Sequence, residues 1–159
     1  ELDKLDLTIN EEKSRVVKFS AGDPLNFLGY TFRWVDRRDE PGRQMVLCRP
    51  QGERRTQFLR ELRNTLRYCL PIAVEEVVRN VVNPRVRGWV NYFRWGNASR
   101  DLLFVRWRVD TMVRKFATRQ RPTKRKGGCS WTTWSSQEIY GDWGLFCSYR
   151  VNWCSTSGD

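Results

Sequence analysis

Residues 83–93 read Asn-Pro-Arg-Val-Arg-Gly-Trp-Val-Asn-Tyr-Phe, and the fold is predicted most clearly from this stretch. Asn is a preferred N-cap and Pro is tolerated in the first helical turn, so Asn83-Pro84 predicts the end of one helix and the start of the next. Trp89 and Phe93 lie one helical turn apart and therefore share a face of the new helix. The stretch predicts a helix with an aromatic inner face.

Helical periodicity continues on both sides of this stretch. Residues 55–70 predict one helix, and residues 72–82, which follow Pro71, predict another. The longest predicted helix spans residues 99–119, where apolar side chains form a stripe about 100° wide. The predicted buried faces are Phe58, Leu59, Leu62, Leu66 and Leu70 on the first helix, and Leu102, Val105, Val109, Met112, Val113 and Phe116 on the longest.

The N-terminal third is predicted to be mostly extended. Residues 1–20 predict the end of a helix and then a strand. Residues 25–35 are aromatic and β-branched, residues 36–42 are polar and residues 44–48 are apolar again, which predicts a β-hairpin. After residue 128 the aromatic-rich sequence predicts a short helix and one or two short strands. The fold class is therefore α+β, mainly α, with an N-terminal β-hairpin followed by a helical region.

The positive charge of the chain is concentrated in its middle. The 159 residues include 29 Lys and Arg against 18 Asp and Glu, a formal net charge of +11. Residues 49–126 hold twenty of the basic and six of the acidic side chains, whereas both ends are slightly acidic. Such a field favours a polyanion, either nucleic acid or an anionic membrane surface, unless it serves solubility alone. No apolar stretch approaches the roughly 20 residues of a membrane span.

Several kinds of catalytic and metal site are excluded by composition. The chain has no histidine, which removes His-dependent triads and Cys/His zinc sites. Its five cysteines are widely spaced without a Cys-x-x-Cys pair, so we expect reduced thiols. No Asp-Asp pair occurs, and the adjacent Glu11-Glu12 and Glu75-Glu76 would diverge on a helix. We therefore expect no catalytic residues, metal or cofactor in this chain, and a binding function instead.

Basic ridges beside the predicted apolar faces are the candidate binding residues. Arg and Lys neutralise phosphates with little sequence preference. The candidates are Arg60, Arg63 and Arg67 for a duplex backbone, Arg108, Lys115 and Arg119 for RNA, the loop residues Lys124, Arg125 and Lys126, and Arg114. Leu103, Trp107 and Arg114 lie off the stripe of the longest helix, where a neighbouring domain, RNA or a second packing face would each fit.

Three short motifs resemble group II intron reverse transcriptases, in the order of that family. Residues 7–17, Leu-Thr-Ile-Asn-Glu-Glu-Lys-Ser-Arg-Val-Val, resemble a run late in the polymerase palm and place Lys13 near the polymerase site. Phe27, Leu28, Gly29 and Tyr30 resemble the primer grip. The matches to the signature of the maturase domain, domain X, are Asn83, Pro84, Arg87, Gly88, Trp89, Asn91, Tyr92 and Phe93. We expect these to be mostly structural, with Trp89 and Tyr92 buried.

The resemblance implies a division of the chain and a set of partners. Residues 1–50 would be the end of the palm with a primer-grip-like hairpin, residues 51–82 thumb-like helices, and residues 83–159 an RNA-binding maturase region. The implied partners are intron RNA, template–primer duplex and the remaining palm and fingers. The implied function is assistance to intron splicing and clamping of the duplex, in the bacterial cytoplasm or an organelle.

The resemblance also implies a longer parent polymerase. The chain begins with Glu1, its first methionine is Met45, and the family's Tyr-x-Asp-Asp motif is absent, so we expect a piece that starts downstream of that motif. Mg²⁺ would be needed only by the complete polymerase. Two alternatives stay open: a polymerase support subdomain without maturase activity, and a generic duplex-binding module.

Overall fold

The structure, a computed structural model, describes residues 19, 23–120 and 134–152. The strands are β1 (Leu25–Phe27), β2 (Tyr30–Asp36) and β3 (Gln44–Pro50). The helical elements are α1 (Gly52–Tyr68), α2 (Val74–Val77), a π-helical segment (Val78–Val82), α3 (Asn83–Phe93), α4 (Ser99–Gln120) and a terminal π-helical turn (Gln137–Asp142). The α+β, mainly α class is confirmed. The helix end and strand predicted within residues 1–18 lie outside the described residues.

The N-terminal strands form an antiparallel sheet in the order β1-β2-β3. The prediction of one strand over residues 25–35 is wrong, because a two-residue turn at Leu28-Gly29 separates β1 from β2 and pairs Phe27 with Tyr30. Both turn residues have positive φ, 47° at Leu28 and 78° at Gly29. Tight hairpin turns of this kind match the twist of the strands but favour Asn-Gly over Leu-Gly. The sequence therefore lacked the usual signal for this turn.

The hydrophobic core lies among the helices. The predicted buried stripe of α4 is confirmed, as are the three central leucines of α1, Leu59, Leu62 and Leu66. Leu70 is 43% exposed, contrary to prediction, because α1 ends at Tyr68 before Pro71. Burying a Leu or Val side chain contributes about 1.5–3 kcal/mol, so these faces hold the helices together.

The sequence predicted that one helix ends and another begins at Asn83-Pro84, but the helix does not break there. Val82 and Asn83 both have right-handed helical dihedrals, and the chain is continuously helical from Val74 to Phe93. The π-helical segment accommodates the proline, which has no N–H to donate, by widening the turn before it. The side chain of Arg85 donates to the Val81 carbonyl at 3.0 Å. The helix also begins two residues later than the predicted residue 72.

Residues 134–152 pack back onto the helices. Ile139, Trp143 and Leu145 are at most 3% exposed and complete the core. The predicted strands do not occur in this segment, whose single bridge joins Asn152 to Trp95. Helical structure here is limited to the turn Gln137–Asp142.

Three further properties concern the described residues. None of their helices is long and apolar enough to cross a membrane. The thiols of Cys48, Cys69 and Cys147 are free. Within the same residues, no group of three or more acidic or cysteine side chains is placed to hold a metal ion.

Candidate nucleic-acid interface

Helices α1 and α4 run parallel and are joined at both ends. Near their first turns, Arg55 of α1 donates to Asp101 of α4. Near their last turns, the side-chain amide of Gln120 donates to the carbonyls of Leu70 at 2.8 Å and Ile72 at 2.5 Å. The basic ridge of α1 and the basic ridge of α4 therefore face each other along the length of the two helices.

A groove lies between the two helices, and we call it the α1–α4 groove. Its C-terminal part is a cavity of about 290 Å³ with a floor of Leu66, Met112 and Phe116. Its N-terminal part is a cavity of about 250 Å³, and the two parts share Arg63 and Arg108. From Arg55 to Arg67 the groove follows thirteen residues of α1, a distance of about 18 Å at the helical rise per residue.

The walls of the groove carry positive charge and no carboxylate. Besides Arg55, which is paired with Asp101, the basic wall residues are Arg60, Arg63 and Arg67 of α1, and Arg108, Lys115 and Arg119 of α4. Among the described residues, none of these six lies within ion-pairing distance of an Asp or Glu. Cations that face each other across a narrow cleft without counter-charges create a strong local positive potential. The groove is therefore suited to a polyanion.

The structure brings together six of the predicted binding residues. The α1 arginines, predicted to bind a duplex backbone, and the α4 cations, predicted to bind RNA, are opposite walls of one groove. Lys13, Lys124, Arg125 and Lys126 lie outside the described residues. The primer-grip-like residues lie in the β1–β2 turn and do not line the groove.

Arg114 is not available to a ligand, so its prediction as a binding residue is wrong. It is 2% exposed, and its Nε donates to Oδ1 of Asp110 at 2.5 Å. Its Nη1 donates to the Trp134 carbonyl, and the Tyr140 hydroxyl donates to the other oxygen of Asp110 at 2.7 Å. Arg114 therefore anchors the C-terminal segment to α4. The helical wheel placed it off the apolar stripe, and the segment that covers it was not foreseen.

The primer-grip-like turn is held against α3. The Tyr30 hydroxyl donates to the Tyr92 carbonyl at 2.5 Å, and the Tyr92 hydroxyl donates to the Leu28 carbonyl at 2.8 Å. Burial, with smaller contributions from Cys48 and Tyr92, raises the pKa of Tyr30 to about 12. Phe27 is 59% exposed beside this contact. The turn is thus fixed in place while its tip faces solvent.

The maturase-like signature divides between the core and the surface. Trp89 and Phe93 are buried, as expected, but Tyr92 is 51% exposed because it faces the hairpin turn. Asn83 binds the C-terminal segment: its amide donates to the Gly144 carbonyl at 2.8 Å and accepts from the Phe146 N–H at 2.9 Å. The Asn83 side chain therefore makes tertiary contacts and does not cap a helix.

The outward side of α3 carries the rest of the signature. Arg87, Gly88 and Asn91 are exposed. The Arg87 guanidinium lies 5.7 Å from the centre of the Phe146 ring, and a Cβ at Gly88 would meet no other atom within 4 Å. These three residues are therefore outside the core.

Three residues at or next to the N-terminal end of the groove, Arg55, Phe104 and Asp101, were not predicted from the sequence. Asp101 has a side chain 3% exposed and accepts from Arg49 of β3 at 2.9 Å as well as from Arg55. The Arg55 guanidinium lies 4.6 Å above the ring of Phe104. Phe104 lies one helical turn before Arg108, and this spacing could have predicted that it lies beside the groove. The contacts of Asp101 had no such signal, because they join elements far apart in sequence.

Residues 55–134, about half of the chain, match the family model described as the group II intron, maturase-specific domain. The match includes most of α1 and all of α3 and α4, so both walls of the groove fall within it. No curated protein matches the chain.

Proposed function

The chain belongs to the group II intron maturase-specific family, and from this premise we propose that its α1–α4 groove binds the phosphate backbone of intron RNA. A maturase-related role in group II introns follows from the family itself. The observation that supports the RNA contact is the pair of facing walls, which hold no carboxylate and, besides Arg55, six cations without an acidic partner among the described residues. RNA is the polyanion that a group II intron supplies.

The groove acts through charge rather than through bond chemistry. Each phosphate neutralised by Arg or Lys releases condensed counterions, which favours binding and makes it salt-dependent. Cations held between two RNA segments also lower the repulsion between their backbones. Splicing assistance is then a matter of stabilising the compact form of the intron. Backbone contacts position RNA without reading its sequence, so intron choice depends on other contacts.

A second candidate is support of a polymerase without maturase activity. It is favoured by the hydrogen bonds that fix the primer-grip-like turn to α3 through Tyr30 and Tyr92. In this version the groove clamps template–primer duplex, and the sheet contacts the remaining palm and fingers. Any Mg²⁺ would belong to that larger polymerase. For both candidates we propose the bacterial cytoplasm or an organelle as the location.

The proposal is tested by RNA binding of the full 159-residue chain at several salt concentrations. The probe is a blunt RNA hairpin, and the variant carries Arg63→Gln and Lys115→Gln, one change on each wall. We expect weaker binding and a log K against log salt slope that is shallower by about 1.4–1.8, since each phosphate contributes about 0.7–0.9.

A matched variant separates this effect from the loss of net charge. Arg38 and Arg150 are exposed, and within the described residues neither has an ion-pair partner or lines the groove. Arg38→Gln with Arg150→Gln removes the same charge and should leave the slope nearly unchanged. Equal losses in both double variants would refute the groove as the binding site. Splicing assays with the two double variants distinguish the maturase candidate from the polymerase-support candidate. The maturase candidate predicts a splicing defect in the groove variant, and the polymerase-support candidate predicts none.

A further inference from the structure

Three large apolar side chains are exposed together on the outer side of α4. Leu103, Phe104 and Trp107 are 56%, 40% and 51% exposed, and we call them the aromatic ridge. The rings of Phe104 and Trp107 have their centres 6.2 Å apart and are tilted by 49°. They are spaced as neighbours on one helix face, so they form a continuous surface.

Guanidinium groups surround the ridge. Arg55 lies over the Phe104 ring at 4.6 Å, and Arg108 lies 5.6 Å from the centre of the Trp107 ring. Arg100 and Arg106 of the same helix are exposed. The two acidic residues of α4, Asp101 and Asp110, are buried. The ridge is therefore apolar at its centre and cationic at its edge.

The ridge continues from the N-terminal end of the α1–α4 groove. Phe104 and Arg108 line that end of the groove, and Trp107 stands beside both of them. A nucleic-acid strand with phosphates in the groove would therefore bring its next nucleotide to the ridge. In a duplex, the faces of the bases are covered by their neighbours, so only an unpaired base can stack on an exposed ring.

We propose that the aromatic ridge stacks an unpaired RNA base where the strand leaves the duplex held in the groove. This inference rests on the proposed function of the groove. Aromatic rings next to arginines are the common surface for single-stranded nucleic acid, since rings stack on bases and cations hold phosphates. A protein partner fits less well, because the apolar area of these three side chains is small and is bordered by the guanidinium groups of Arg55 and Arg108.

The test compares two RNA probes on the full chain. One is a blunt hairpin whose strands are joined by a non-nucleotide linker, so that it has no unpaired base. The other is the same hairpin with a short single-stranded extension, made separately on each strand. Trp107→Ala should weaken binding of an extended hairpin by about 5- to 150-fold, as expected for the loss of one stacked base. Binding of the blunt hairpin should change less than about twofold. Trp107→Phe keeps a ring and should retain most of the affinity.

Trp95→Ala is the matched control, because Trp95 is 47% exposed and lies outside the ridge and the groove. It should leave both probes unaffected. Trp107 fluorescence gives a second measure on the unaltered chain: an extended hairpin should quench more than a blunt one, and Trp107→Phe should abolish the excess.

Two outcomes would overturn the inference. Equal loss of both probes on Trp107→Ala would show that the ridge does not select unpaired bases. If Trp107→Ala binds both probes as tightly as the unaltered chain does, and the extended hairpin quenches no more than the blunt one, the ridge is a surface for a protein partner instead. If Arg63→Gln with Lys115→Gln weakens both probes in that case, the proposed function stands and the ridge inference alone fails. If that double variant weakens binding of neither probe, the proposed function of the groove is refuted, and the ridge inference is refuted with it.

Discussion

Tyr30 and Tyr92 each donate one hydrogen bond across the contact between the hairpin and α3. The hydroxyl of Tyr30 donates to the backbone carbonyl of Tyr92, and the hydroxyl of Tyr92 donates to the carbonyl of Leu28, two residues before Tyr30. Their rings stack with centres 5.9 Å apart. One tyrosine belongs to the primer-grip-like motif and the other to the maturase-like signature. The contact therefore fixes the sheet to the helical region.

The first prediction is that both hydroxyl groups stabilise the fold. Tyr30→Phe and Tyr92→Phe should each lower the free energy of unfolding by about 0.5–1.5 kcal/mol, the net value of one hydrogen bond. The double variant should lose less than the sum, because one altered contact loosens the other. Urea denaturation of all three variants measures this. Tyr68→Phe is the control, since Tyr68 is 86% exposed; a loss of similar size there would contradict the assignment.

The second prediction concerns alkaline pH. The pKa of Tyr30 is raised from 10.0 to about 12, mainly by burial, so the folded state holds this proton more tightly than the unfolded state. The resulting stability is fully present below pH 10 and is lost as the pH rises from about 10 to 12. Burial also raises the pKa of Tyr140 and Tyr149. Tyr30→Phe should therefore reduce, but not abolish, the fall in unfolding free energy; a profile parallel to that of the unaltered chain would refute the prediction.

The third prediction distinguishes two roles for Asn83. Its amide makes one hydrogen bond as donor and one as acceptor with the backbone at Gly144 and Phe146. Asn83→Ala should lower the unfolding free energy by about 1–3 kcal/mol. Asn83→Ser should lose nearly as much, because the short hydroxyl cannot reach both groups. If serine restores most of the stability, Asn83 is a helix cap after all, since serine is a good cap.

The fourth prediction concerns Asp101, which receives hydrogen bonds from Arg49 and Arg55 while 2% exposed. Asp101→Asn leaves Arg49 and Arg55, which are partly exposed, without their counter-charge and should cost about 1.5–3 kcal/mol of unfolding free energy. Glu40→Gln, in an exposed pair with Arg43, should cost at most about 1 kcal/mol. Where the Asp101 variant is folded, its RNA affinity should rise, because Arg55 at the end of the groove is freed. Chemical denaturation and RNA titration measure the two effects; a fall in affinity would contradict this account.

Local periodicity predicted the exposed and buried faces of individual helices well. The buried stripe of α4 and the exposed ridge from Arg60 to Arg67 both follow from 3.6 residues per turn. The sequence could not predict that α1 and α4 run parallel, because their relative direction depends on contacts such as Gln120 with Leu70. The two basic ridges, which were predicted separately, are therefore the two walls of one groove.

The errors arose where tertiary contacts override local preference. Asn83-Pro84 has the composition of a helix start, yet the π-helical segment before it keeps the helix continuous and frees the Asn side chain to bind Gly144 and Phe146. Leu28 adopts positive φ, although Leu rarely does, and the Tyr92 hydroxyl accounts for one backbone contact of that turn. Neither feature has a signal in the residues adjacent in sequence.

The last prediction uses two neighbours on α4, Arg114 and Lys115, which differ in burial. Arg114 is 2% exposed and paired with Asp110, whereas Lys115 is exposed on the wall of the groove. Arg114→Ala leaves a buried carboxylate without its partner and should lower the unfolding free energy by about 3–5 kcal/mol.

Lys115→Ala should change the unfolding free energy by less than about 0.5 kcal/mol, because surface substitutions rarely do more. It should instead weaken RNA binding and reduce the salt slope by about one phosphate contact. Thermal unfolding and salt-dependent RNA titration of both variants measure these two quantities. RNA binding of Arg114→Ala, measured where the variant is still folded, should keep the slope of the unaltered chain, since Arg114 does not reach the groove. A reduced slope there, or a stability loss at Lys115, would show that the two neighbours have been assigned to the wrong roles.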